Sequence, residues 1–163
     1  MTAAWRTVAH VRIEPPEADW RERLATRLGH RPRRLGAWTE LALHGALRCL
    51  DAAGEPGLPA GAMLRVASLV GPLEAIRAIV AQGATGLPMP FSFMQSQPSQ
   101  MLAALSQHLR WQGDGRMVVG RDPDALLSLA QLECESERAA PEGLLFGWVE
   151  EGRRSEWWRL RPQ

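Results

Sequence analysis

The sequence predicts an α/β fold: a mixed, mostly parallel sheet with helices on both faces and a C-terminal β-hairpin. Three stretches carry that expectation. Met63 to Val70, reading MLRVASLV, is an apolar run suited to burial on both faces, and Gly71-Pro72 turns it directly into a helix. Arg116 to Val119 is a second short strand that breaks at Gly120-Arg121-Asp122 into a helix beginning at Pro123. Leu144 to Glu150 and Ser155 to Leu160 flank Glu151-Gly152-Arg153-Arg154 as a hairpin. Strand-to-helix crossovers of the first two kinds build parallel sheets. With 163 residues, the span 1–163 reads as a single domain with one sizeable core.

The remaining elements follow in order. Trp5 to Ile13 alternates loosely and stops at Glu14-Pro15-Pro16, which fits a strand. Ala18 to Leu28 reads as a short surface helix carrying Arg21, Arg23 and Arg27, and His30, Arg31, Arg33 and Arg34 extend that basic cluster. Gly36 to Ala53 is a helix with Leu41, Leu43, Leu47 and Leu50 beside Ala37, Ala42 and Ala46, and Gly54 stops it. Leu73 to Gln82 is a helix expected to turn Ile76, Ile79 and Val80 to the core. Gly83 to Pro98 reads as a long irregular loop, and loops of that length are usually functional or specially packed. Pro98 or Ser99 opens a helix with Met101, Leu102, Leu105 and Leu109 on one face, before the Gly113-Asp114-Gly115 turn. In the next helix Asp122 suits the N-cap and Pro123 the first helical position; its body, Ala125 to Leu132, is apolar on most of its circumference and expects cover on nearly every side. That helix ends near Arg138, with a connector from Ala139 to Gly143. In the hairpin, Trp148, Trp157 and Trp158 read as core or edge cover, or as a partner surface.

Composition narrows the chemistry. All 19 basic side chains are Arg, so Schiff-base catalysis and a P-loop lysine are excluded, and Tyr and Asn are missing as well. A net charge of +1 gives no global reason to expect nucleic acid or an anionic membrane, and the basic cluster lacks the interleaved aromatics of an RNA-binding motif. Cys49 and Cys134 lie inside helical patterns outside any CxxC spacing and read as buried free thiols. Met1 to Trp20 has no signal-peptide core and no apolar run approaches a membrane span, so the expected location is the cytoplasm. His10, His30, His44 and His108 are scattered without metal-ligand spacing, so no metal and no cofactor is expected.

A strand breaking into a buried helix is where several enzyme families mount a nucleophile, because a helix N-terminus favours developing negative charge. Here the elbow holds Gly120, Arg121 and Asp122, without Cys or Ser. Asp122 and Asp124 are explained by the cap and first-turn positions.

The order and wording of these elements resemble the N-terminal half of a β-ketoacyl synthase, half of a thiolase-like fold. The likeness is closest to the short chain-length-factor-like proteins of aryl polyene and xanthomonadin-type pigment clusters. It rests on Arg33-Arg34-Leu35-Gly36 with Leu41-Ala42-Leu43, and on Arg65 to Glu74, where the family runs a strand into S-x-x-G-E-L. Leu87-Pro88-Met89-Pro90-Phe91-Ser92-Phe93 is similar to L-S-P-x-x-F-S, and Gly120 to Ala130 to A-G-x-D-x-x-x-A-A-L. Where such proteins often carry S-V-H-N-A, this chain has Met94-Gln95-Ser96-Gln97-Pro98. The elbow lacks the family's Cys, and the catalytic His pair belongs to the half this sequence does not contain.

The resemblance implies a subunit without catalytic residues, acting in fatty-acid or polyene pigment biosynthesis as a homodimer or paired with an active ketosynthase. Met117, Val118, Val119, Leu126 and Leu127 would form the interface. Phe91, Phe93, Gln95, Ser96, Gln97, Gly120 and Arg121 are candidates for contact with acyl groups or a partner. Acyl carrier proteins are acidic, so Arg27, Arg31, Arg33 and Arg34 form a candidate docking face. Two alternatives stay open: a small acyl-thioester-binding enzyme using the 83–98 loop, and a purely structural scaffold.

Overall fold

The computed structural model describes residues 4–86, 89–137 and 140–163, with Glu137 described by its backbone alone. Leu87 and Pro88 of the proposed Phe-Ser motif, and Arg138 and Ala139 of the expected helix end and connector, lie outside the described residues. The elements are β1 (Trp5–Ile13), α1 (Trp20–Leu28), α2 (Ala37–Ala52), β2 (Met63–Ser68), α3 (Leu73–Gly83), α4 (Pro90–Gln95), α5 (Pro98–His108), β3 (Gly115–Val119), α6 (Pro123–Glu137), β4 (Leu144–Glu150) and β5 (Arg154–Pro162).

One five-stranded sheet runs in the order β1-β5-β4-β2-β3. β2 is parallel to β3 and β4, whereas β5 is antiparallel to β4 and β1. Four of the five strands therefore run in one direction, in keeping with a mixed, mostly parallel sheet, and only β5, which the hairpin carries out to meet β1, opposes them. β2 is buried at every position, as its unbroken apolar run requires. The strand ends at Ser68, however, and Leu69 and Val70 stand exposed in the following turn rather than continuing it.

Alternation along the strands sorts the core into two layers. Leu64, Val66, Leu145, Val149 and Trp157 face α2 and α5. Met63, Ala67, Phe146, Trp148 and Leu160 face α6 through Ala130 and Cys134. Close approach of α2 depends on Gly45, where a Cβ would stand 2.5 Å from the Trp157 ring and nearer still to Ser155 Oγ. Trp157 Nε1 donates to Ser155 Oγ at 2.9 Å, and that hydroxyl donates to the Leu41 carbonyl at 3.0 Å. Trp38 and Trp111 donate to the carbonyls of Val149 and Ala62, so these buried indoles are satisfied.

Two further expectations change. Ile76 and Val80 of α3 are exposed, and only Ala75 of that helix is fully buried. α3 lies against α4 rather than flat on the sheet. The 83–98 segment is not wholly irregular, since it contains α4 with Pro90 in the first turn. α6 is covered on one side alone: Ala130 and Cys134 are buried while Leu129 and Leu132 remain 48% and 54% exposed. Its apolar circumference exceeds what one sheet face can cover.

Candidate functional site

β2, β3 and β4 point their carboxyl ends the same way, and in open α/β sheets ligands gather at that end. The elbow lies there. Gly120 N–H donates to the Ser68 carbonyl at 3.3 Å, closing β3, and Leu126 of α6 lies over Gly120, where a Cβ would meet its Cδ1 at 2.7 Å. Asp122 Oδ1 accepts from the amides of Asp124 at 3.0 Å and Ala125 at 3.3 Å, the expected N-cap. Arg121 is exposed beside it.

That cap has a chemical consequence. The α6 N-terminus, the usual place to stabilise an oxyanion, already holds a carboxylate of its own chain. The same holds at the two neighbouring corners. Glu150, at the end of β4, accepts from the amides of Leu69 at 2.5 Å and Val70 at 3.4 Å and from Ser68 Oγ at 3.2 Å. Ser68 Oγ in turn accepts from Gly71 N–H at 2.8 Å. Glu151 accepts from the Glu74 amide at 2.7 Å at the start of α3, where burial pushes its carboxyl upward. Three amide-rich corners are each met by a carboxylate of the same chain. Glu150 and Glu151 escaped the sequence reading, which gave them to a hairpin; adjacent acids closing an apolar strand were the available signal.

The other candidates fall in separate places. Phe91 and Phe93 of α4 are 54% and 60% exposed, and Met94 of α4 and Val80 of α3 are exposed as well. Ser96 Oγ donates to the Phe93 carbonyl at 2.7 Å and accepts from Gln97 Nε2 at 3.1 Å, so this hydroxyl serves a helix end. Gln95 Nε2 donates to the Arg34 carbonyl at 3.5 Å. Gln95 lines a cleft of about 310 Å³ together with Arg21, Glu40, Glu74 and Glu151.

Within the arginine cluster, Arg27 is held by Asp51 at 2.7 Å, Arg21 by Glu40 at 2.9 Å and Arg31 by Glu22 at 3.7 Å. Arg34 lies over the Phe91 ring, 5.9 Å from its centroid, at a positive φ of 66°. Arg33 has no ion pair among the described residues. The histidines are less scattered than expected: the rings of His30 and His108 come within 6.0 Å, and burial together with His30 lowers the His108 pKa. The buried Nε2 of His44 has no hydrogen-bond partner among the described residues. Cys49 and Cys134 are free and buried, and burial pushes the Cys49 thiol up to about 12. No group of His, Cys, Asp and Glu among the described residues could hold a metal ion, and no described helix is long and apolar enough to cross a membrane.

What remains available is a surface. β3 is an edge strand whose Val119 is 66% exposed. Gly120 N–H and the Asp114 carbonyl both bond to β2, so strand alternation turns the amides of Met117 and Val119 toward the open edge. Met117 is half-buried beneath the α2–α5 layer, and Leu126 and Leu127 are half-buried against the sheet. The outward apolar positions of α6 are Leu129 and Leu132.

No protein-family model and no curated protein matches the sequence. Solved structures do match. A ketosynthase in complex with its chain length factor, from Xenorhabdus doucetiae, aligns with 16% identity and a TM-score of 0.69 over 100% of this chain and 80% of that one. The ishigamide ketosynthase/chain length factor aligns with 14% identity and a TM-score of 0.66 over 92% of this chain and 48% of that one. A type II polyketide acyl-carrier protein in complex with its hexaketide-bound ketosynthase gives 11% identity and a TM-score of 0.66 over 100% of this chain and 64% of that one. The fold is therefore ketosynthase-like, half of a thiolase-like fold, with β2, the elbow, α6 and the hairpin in the expected order.

Proposed function

We propose that this chain is a chain-length-factor-like subunit that pairs with an active ketosynthase and does no chemistry itself. The observation that carries the reading is an open β3 edge in a chain that also leaves an apolar face of α6 uncovered. Exposed edges are normally blunted by charge, Pro or a covering element. Here the edge ends in Val119, and Leu129 and Leu132 stand outward on α6. Covering two such leucines contributes on the order of 1.5–3 kcal/mol each for full burial. Two of the solved structures described above are ketosynthases with chain length factors, which supports a heterodimer over a second copy. The carboxylate-filled corners at the elbow support a role in contacts over condensation, which needs an activated thiolate and an open oxyanion hole.

The pathway we infer is fatty-acid or polyene pigment synthesis of the aryl polyene or xanthomonadin type. Phe91, Phe93 and the elbow residues Gly120 and Arg121 would border the partner or its acyl chain. An acidic acyl carrier protein would dock on Arg33 and Arg34, with Arg27 and Arg31 supporting the positive field from within their ion pairs. Capture of the tagged chain from its native host tests the reading. A ketosynthase should co-purify, and omitting this chain should change product chain length. Recovery without a ketosynthase, with an unchanged product, would overturn it.

A further inference from the structure

The α1–α2 connection and α5 enclose a cleft of about 260 Å³, lined by His30, Arg33, Gln100, Gln107 and His108 among others. We propose that this cleft binds a small divalent oxyanion of the phosphate-monoester class, held by His30, Arg33 and His108. Among the described residues these three are the charged or titratable groups that line it, and no carboxylate does. α5 carries no ionisable side chain besides His108, and the nearby Arg31 is already paired with Glu22. Arg33, by contrast, keeps its charge unspent among the described residues.

The histidines are arranged for proton-linked binding. His30 Nδ1 lies 3.2 Å from the Leu28 carbonyl, so it donates there and leaves Nε2 to face a ligand. His108 lies in the last turn of α5, where helix carbonyls favour an imidazolium. The two rings are 6.0 Å apart and inclined by 35°. Burial opposes charging of His108, and the charge of a ring as close as His30 adds to that opposition. A dianion between them and Arg33 reverses the balance, because each protonated ring then gains a charge-assisted hydrogen bond. Gln100 and Gln107 supply amide donors at any pH. No residue of β3 or α6 lines the cleft, so the proposal does not rest on pairing with a ketosynthase. It shares Arg33 with the proposed docking face.

The test uses the full chain with sodium sulfate, a dianion at every working pH, against sodium chloride of equal ionic strength. Histidine ring resonances are followed at pH 5.5 and pH 8. Sulfate should shift His30 and His108 while leaving His10 and His44 in place, and should bind about tenfold more tightly at the lower pH. Arg33→Gln should weaken binding at both pH values, and His108→Gln should remove most of the pH dependence. Inorganic phosphate should compete with sulfate, and dimethyl phosphate, a monoanionic diester, should compete poorly. Equal shifts in sulfate and chloride, or affinity unchanged in Arg33→Gln, would overturn the site. Equal competition by the diester would overturn the monoester assignment. None of these readouts depends on a ketosynthase, so this proposal and the pairing fail separately.

Discussion

Arg65 is the most consequential polar residue of the sheet, and replacing it with Met gives a decisive perturbation. It sits mid-strand in β2 with no exposed side-chain surface, pointing to the α6 side. Its guanidinium donates to Glu133 of α6 at 2.7 Å and to Asp114, just before β3, at 2.6 Å. It also donates to the carbonyls of Leu64 at 3.0 Å and Asp114 at 2.9 Å. One side chain therefore ties together the strand, the edge and the helix that form the proposed partner surface. Breaking a wholly buried pair costs about 3–5 kcal/mol. Here the carboxylates keep 33% and 30% of their side-chain surface, so water takes back part of their charge. Met retains the stem's packing, which leaves a loss of about 2–3 kcal/mol and a fall of about 4–12 °C in Tm. Urea and thermal unfolding measure the loss, and amide exchange along α6 shows whether that helix loosens first. An unchanged Tm with unchanged α6 exchange would refute the reasoning, since the three elements would then be held by apolar packing alone.

Gly45→Ala should destabilise by about 2–3 kcal/mol, because overpacking against Trp157 and loss of the Ser155 bond outweigh the helix-propensity gain. Gly83→Ala at the end of α3, where a Cβ meets nothing within 4 Å, should instead be neutral or stabilising by up to about 1 kcal/mol; equal losses in both, by urea unfolding, would contradict this reading of α2 packing. Glu55 supplies a pH signature: burial alone would raise its pKa, but hydrogen bonds from Arg159 and Arg161 prevail and hold it below the ordinary 4.5. A depressed carboxylate stabilises fully above that ordinary value and loses its contribution as pH falls through the folded one. Unfolding free energies from pH 6 down to pH 3 should therefore decline less steeply in Glu55→Gln than in the wild type, and parallel declines would contradict the assignment.

The elements that were legible in the sequence are those whose signals are local. MLRVASLV announced a doubly covered strand, Asp122-Pro123 announced a cap, and the alternation after Leu144 announced the hairpin. The balance of parallel and antiparallel pairing was not local, because β1 joins the sheet only through β5 at the far end of the chain. Ile76 and Val80 misled because an apolar stripe marks a face that wants cover without naming what covers it. The filled corners were hidden for a different reason. Glu150 and Glu151 act on the amides of Leu69, Val70 and Glu74, contacts that exist only once the sheet has assembled. His30 and His108 likewise meet only through the packing of α5 beneath the α1–α2 connection.

The central claim is that β3 is an edge kept open for a ketosynthase, and amide exchange at Met117 and Val119 tests it most directly. In the isolated chain their outward N–H groups should exchange rapidly, while Val118, whose N–H strand alternation turns toward β2, should be slower. In the complex with the co-purifying ketosynthase, Met117 and Val119 should become strongly protected, together with the exposed face of α6. Rapid exchange at both positions in a stable complex would contradict the claim, because the partner would then sit elsewhere.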